Sequence, residues 1–268
     1  MTNMFPHHAE SIENIKKHFE ADPKVQALLL TGSIAHGYHT AESDVDALIV
    51  LAEDEYQKHV DSGNMTVVLH DLCTYEGGYV DAKYTSISFI KQVAERGSEP
   101  ARWAFEGARI LFNRIPGSTT ELEDAIRAAV TYPLADKHDR LRRFRAQLEI
   151  WRWYTGEALR KKNKYLLHTA VSKLILFGGR LILAHNEILY PFHKWFMRVL
   201  QDAPDKPEGL MECIDELATE PTFERVDAFY DLIKGFQEWP TGPFRFGAAF
   251  MVDSELNWLH VKTPVEDI

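Results

Sequence analysis

LLLTGSIAHGYHTAESDVDALIV, residues 28–50, decides how this chain is read. An apolar run stops at Gly32-Ser33, and a second run restarts with Asp44 and Asp46 alternating with Val45 and Ala47. Successive side chains on a strand point to opposite faces, so the two carboxylates leave one face and the two apolar groups the other. Carboxylates held that close repel unless a cation sits between them. Hard divalent cations such as Mg²⁺ take oxygen ligands, keep several waters and share substrate phosphates, so Asp-x-Asp on a strand is a partial cage that a phosphate completes. Gly32 lets the backbone approach an anion closely. Ser33, where a short helix is expected to begin, adds a hydroxyl and backbone N–H groups.

Outward from this stretch, residues 9–20 place Ile12, Ile15 and Phe19 at helical spacing, and Asp22-Pro23 ends the helix. KVQALLLTG reads as a buried strand and DVDALIVL as a second. TVVLHDL and YVDAKYTSISFI are further β-rich runs, separated by a turn at Glu76-Gly77-Gly78. After Ile115-Pro116-Gly117 the pattern turns helical, with helices predicted over roughly 118–130, 138–162, 165–185, 192–202, 207–218 and 222–238. The expected fold class is therefore α+β: a mixed-sheet domain over residues 1–115, then a helical domain over 116–268. The final aromatic-rich stretch, from Glu238 onward, reads as irregular and is expected to pack back on the body. There is no internal repeat and no low-complexity linker.

A chain of 268 residues with 45% hydrophobic composition has ample material for a core. A formal charge of −10 argues against a protein that coats nucleic acid, which needs a net basic face. One run, residues 137–164, does carry ten Lys and Arg with Trp151, Trp153 and Tyr154 interleaved, but Glu149 and Glu157 interrupt it. No stretch approaches the run of about 18 apolar residues that spans a bilayer, and the first residues lack the pattern of a secretion signal. Cys73 and Cys213 are too few for a disulfide framework or a cysteine zinc site. A cytoplasmic protein without a membrane partner is expected. His36 and His39 lack a partner set for zinc.

Gly32-Ser33, then Gly37, then Asp44-x-Asp46 flanked by apolar residues resembles the signature of the DNA polymerase β-like nucleotidyltransferase superfamily. The resemblance implies a third carboxylate on a neighbouring strand, for which Asp81 in GYVDAKYTS is the natural candidate and Glu76 the alternative. It implies a helical domain after the sheet, as in antibiotic nucleotidyltransferases. By the same resemblance Asp44, Asp46 and Asp81 are the catalytic, metal-holding set for Mg²⁺, with Mn²⁺ as the alternative ion. Asp81 serves either as a metal ligand or as the general base. Gly32 and Ser33 would hold the phosphates of ATP or another nucleoside triphosphate. A lysine of the helical domain would reach the triphosphate: Lys173, or Lys194 in YPFHKW, which resembles a Pro-x-x-Lys-Trp element of similar proteins. The expected reaction moves a nucleoside monophosphate, AMP from ATP, to a hydroxyl of a small-molecule acceptor such as an aminoglycoside-like antibiotic. Nucleic acid is not the expected partner. Two alternatives stay open: a non-catalytic nucleotide-binding or antitoxin-like module, and a nucleotidyltransferase acting on RNA or protein. The Arg180-to-His185 spacing also resembles that of HEPN-type ribonucleases, a match one helix meets easily by chance.

Overall fold

The computed structural model describes residues 4–117, 120–243, 245–265 and 268. The chain divides into two compact units, Met1–Thr131 and Tyr132–Ile268. In the first, α1 (Pro6–Glu20) leads into β1 (Val25–Leu30), α2 (Gly32–His36), β2 (Val45–Leu51), α3 (Glu53–Ser62), β3 (Thr66–Leu69) and β4 (Val80–Ser86). The unit closes with α4 (Ile87–Arg96), α5 (Glu99–Trp103), β5 (Arg109–Asn113) and α6 (Glu121–Val130). The strands form one sheet in the order β3-β4-β2-β1-β5. β2 and β4 run parallel, and the other neighbours are antiparallel.

Alternation along the strands builds a core on each face of this sheet. Leu28, Leu30, Val45, Ala47 and Ile49 pack with Ile12, Ile15 and Phe19 of α1. Ala27, Leu29 and Val50 pack on the opposite side with Ile90 and Val93 of α4 and Leu122, Ala125 and Ala129 of α6. Each Val, Leu, Ile or Phe among them contributes about 1.5–3 kcal/mol when fully buried, and each alanine less. The sheet is thereby held from both sides, which fixes the strand ends that carry the aspartates.

The structure differs from the sequence reading in four places. The expected break at 115/116 falls instead after Thr131. The buried Arg102 guanidinium explains this: it donates to Gly97 O, Ala94 O, Ala129 O and Thr131 O, tying the ends of α4 and α6 together. The first two residues of the helix predicted from 118 lie outside the described residues. Second, the run YVDAKYTSISFI is strand only to Ser86, whose side chain accepts from Phe89 N and starts α4. Third, the irregular final stretch contains a helix, described below. Fourth, one helix does have the length and apolar composition to cross a membrane.

That helix belongs to the second unit, whose described residues form α7 (Lys137–Lys161), α8 (Lys164–His185), α9 (His193–Asp202), α10 (Leu210–Thr219), α11 (Phe223–Phe236) and α12 (Phe246–Asp253). α8 is the long apolar one, half buried, with Leu174, Leu181 and Ile182 fully enclosed by its neighbours. Gly178 and Gly179 let it pack closely, since a Cβ at Gly178 would come within 2.5 Å of Phe229 Cζ. α12 lies in the final stretch and packs on α7, with Trp151 and Phe250 ring centroids 5.7 Å apart and Arg143 paired to Asp253. The basic run of α7 is largely neutralised within the unit. Arg142 pairs with Asp139, Arg145 with Glu149, Arg152 with Asp227 and Arg160 with Glu157.

Candidate active site

The parallel pairing of β2 with β4 sets Asp46 opposite Asp81, flanked by Val45 opposite Val80 and Ala47 opposite Ala82. Residues in register on adjacent strands share a face, and the strands lie about 4.8 Å apart. Val45, Ala47, Val80 and Ala82 are all buried on the α1 side, so the two carboxylates share the other face. Asp44 stands just before β2. Val45 N donates to Tyr79 O at 3.0 Å, extending the ladder by one residue beyond the strand start. The Tyr79 phenol bonds the Asp44 carboxylate, and Asp44's charge, then this hydrogen bond, raise the Tyr79 pKa above its ordinary 10. The charges of Asp81 and Asp46 add to the same shift.

The C-terminal end of β1 closes the site. Thr31 N donates to Asp46 O at 3.0 Å, and the chain then turns at Gly32 with φ +64. A Cβ on Gly32 would overlap the Asp46 carboxylate and lie 2.6 Å from Asp46 Cβ. Glycine is required twice over, by the left-handed backbone and by the carboxylate pressed against its Cα. Ser33 follows, 6% exposed, with its Oγ buried and without a hydrogen-bond partner among the described residues. An unpartnered buried hydroxyl costs stability unless a ligand or water meets it.

The loop before Asp44 is clamped from two sides. Ser43 O accepts from Tyr75 OH at 2.5 Å and from His8 Nε2 at 3.0 Å. The acceptor is a carbonyl, so His8 carries its proton on Nε2. Burial lowers the His8 pKa, keeping the ring neutral in this role. Beyond Ser33, His36 stacks on Trp103 with centroids 4.0 Å apart, and burial lowers its pKa to about 4.

The structure thus gathers Gly32, Ser33, Asp44, Asp46 and Asp81 at one end of the sheet. Glu76 lies exposed in the turn before β4 and is not in register with Asp46. Lys173 on α8 and Lys194 on α9 belong to the second unit. Lys173 is half buried, and Lys194 lies over its own neighbour's ring, 5.3 Å from the Trp195 centroid. Arg180, also on α8, is sandwiched between the rings of Phe144 and Tyr190, at 4.3 and 4.4 Å. Sequence reasoning missed Tyr79, Tyr75 and His8 as supports. The helical stripe Ile12, Ile15, Phe19 extends back to His8, which is the one signal that could have found it.

Among the described residues no group of three or more His, Cys, Asp or Glu is arranged to hold a metal ion. Three hard carboxylate donors beside an unpartnered buried hydroxyl nonetheless suit Mg²⁺, whose shell ordinarily includes waters and substrate phosphates.

Residues 13–99 match the family model described as polymerase beta, nucleotidyltransferase. The first unit therefore contains a nucleotidyltransferase domain of the polymerase β type. Among solved structures, the chain resembles a nucleotidyltransferase-like protein from Exiguobacterium sibiricum 255-15. That likeness has 12% identity and a TM-score of 0.47, and covers 97% of this chain and 83% of that one. No curated protein matches.

Proposed function

We propose that the chain transfers a nucleoside monophosphate, AMP from ATP, to a hydroxyl of a small-molecule acceptor in the presence of Mg²⁺. The observation that carries this reading is the register of Asp46 against Asp81, with Gly32 packed on the Asp46 carboxylate. Asp44 and Asp46 would hold the metal, which when bound offsets phosphate charge and stabilises the attacking and leaving oxygens. Mn²⁺ satisfies the same donors.

The chain's own groups divide the remaining work. Ser33 Oγ donates to a phosphate oxygen, which satisfies its unmet bond. Asp81 takes the acceptor's hydroxyl proton, a role that needs hydrogen-bond reach to that hydroxyl. Tyr79 orients Asp44, and the Ser43 clamp fixes the backbone from which Asp44 leaves. Lys173 and Lys194 stay candidates for the triphosphate's negative charge. The ion-paired state of the α7 arginines favours a small acceptor over RNA, because few of those charges are left to meet a phosphate backbone.

The test is pyrophosphate release from each of the four nucleoside triphosphates with Mg²⁺, against aminoglycosides, other hydroxylated small molecules and short RNAs. Acceptor-dependent release that Asp46→Asn abolishes is expected. Mg²⁺-dependent ATP binding without release for any acceptor, in wild type as in Asp46→Asn, would favour the non-catalytic binding module.

A further inference from the structure

The sheet face carrying Asp46 and Asp81 continues along the same strands as Leu48 on β2 and Lys83 and Thr85 on β4. These residues line a cavity of about 270 Å³ together with Phe89, Ala104 and Phe105. Two-residue steps along a strand cover about 6.8 Å, so the cavity begins one side-chain step from the carboxylate pair. Its lining is mostly apolar, and its polar members include Thr66, Thr85 and Lys83. Thr85 is 2% exposed, and its buried Oγ1 has no hydrogen-bond partner among the described residues. Lys83 is exposed and forms no ion pair among them.

We infer that this cavity is the acceptor pocket, and that it takes a ring-bearing alcohol or phenol without positive charge. The inference rests on the transferase reading above and names its acceptor class. Apolar walls disfavour an ammonium that must shed water, and Lys83 repels it further. The volume lies just under the range for drug-sized ligands, so it takes one or two rings and excludes a polycationic oligosaccharide. The Thr85 hydroxyl, four residues and about 13 Å along β4 from Asp81, anchors a second polar group at the acceptor's far end. A ring seated on Leu48 then presents its hydroxyl towards Asp81. In the transfer, the acceptor O–H gives its proton to the Asp81 carboxylate as its oxygen bonds the α-phosphorus. The bond from that phosphorus to the bridging oxygen breaks, and pyrophosphate leaves with the electron pair.

Three matched probes test this by protein NMR titration: neutral 4-ethylphenol, anionic 3-(4-hydroxyphenyl)propionate and cationic tyramine. Wild type is expected to bind 4-ethylphenol and the anion at least about fivefold more tightly than tyramine. Lys83→Glu should invert the order of anion and cation, Ala104→Trp should abolish binding by filling the cavity, and Thr85→Val should weaken binding of 3-(4-hydroxyphenyl)propionate, whose carboxylate lies at the far end, severalfold. Should Ala104→Trp fail to fold, Thr85→Val and Lys83→Glu carry the test. Tyramine binding more tightly than 4-ethylphenol to wild type, or 3-(4-hydroxyphenyl)propionate binding unchanged in Thr85→Val, overturns the proposal. Asp46→Asn should bind the phenol as wild type does while losing pyrophosphate release. The expected probe order without release in any protein would sink the transferase reading and uphold the cavity's ligand class.

Discussion

Replacing Gly32 with alanine sets the backbone of one strand end against the carboxylate of another. The added Cβ meets two penalties of different origin. At φ +64 an L-residue costs about 1–2 kcal/mol relative to glycine. The methyl also overlaps the Asp46 carboxylate, and of the two groups the side chain moves more cheaply, because Thr31 N and Asp46 O pin the backbones together at 3.0 Å. The carboxylate must therefore rotate away from its place opposite Asp81. A displacement of about 1 Å at a reacting centre can cost a hundredfold in rate. Gly63→Ala separates the terms, since Gly63 has φ +75 but open space around its Cα. Both variants should lose a few degrees of Tm, on the order of 5 °C, for the backbone term. Only Gly32→Ala should lose Mg²⁺-dependent ATP binding and about a hundredfold in pyrophosphate release, measured at a temperature where both are folded. Equal activity in the two variants would refute the claim that Gly32 positions Asp46 for the reaction.

The supports make their own predictions. Tyr79→Phe should reduce pyrophosphate release roughly tenfold by freeing Asp44, and difference titration of wild type against Asp44→Asn should show one tyrosine ionising closer to its ordinary pKa in the variant. For His36, a folded pKa of about 4 lies below the unfolded 6.5, so the unfolded chain binds the proton first and stability falls as pH drops from 6.5 towards 4. The contribution reaches at most about 3 kcal/mol, and urea unfolding at pH 7 and pH 4.5 should show a smaller pH-dependent loss in His36→Gln than in wild type; equal losses would sink this account. Gly178→Ala should lower the Tm of the second unit, because overpacking against the fully buried Phe229 costs about 1–3 kcal/mol and outweighs the better helix propensity of alanine. An unchanged or higher Tm would show that Phe229 yields.

Legibility followed the range of the interactions. Gly32-Ser33 and Asp44-x-Asp46 are local patterns, and their chemistry was readable because a period of two places carboxylates and core residues on opposite faces. The helices of the second unit were readable for the same reason at a period of 3.6, and α7 and α8 fall within a residue of their predicted bounds. The end of β4 was not readable. Tyr84, Thr85, Ile87 and Phe89 all suit a strand, and one hydroxyl, Ser86, caps the helix that interrupts them. β5 was missed because it is five residues at a sheet edge, without an alternating pattern of burial. The Ser43 clamp joins residues more than thirty positions apart, so no local spacing encodes it.

That clamp bears on what the matched family segment supplies. Residues 13–99 contain Asp44, Asp46, Asp81 and Gly32-Ser33. They do not contain His8, which holds the carbonyl preceding Asp44, nor Trp103, which holds His36 beside the Gly32 turn. They also omit α6, which covers the sheet face carrying Leu29 and Val50 and is bound to α4 through Arg102. The acids are thus set by short-range sequence, while their rigidity comes from flanking segments. A fragment cut to residues 13–99 would keep the carboxylates and lose the Ser43 clamp and one wall of the core. Rigid placement is what gives a carboxylate pair its value, since like charges held in register stay poised for a cation only if neither can swing away. The compact unit that runs to Thr131, rather than the segment that carries the motif, is therefore the smallest piece in which this site has a physical basis.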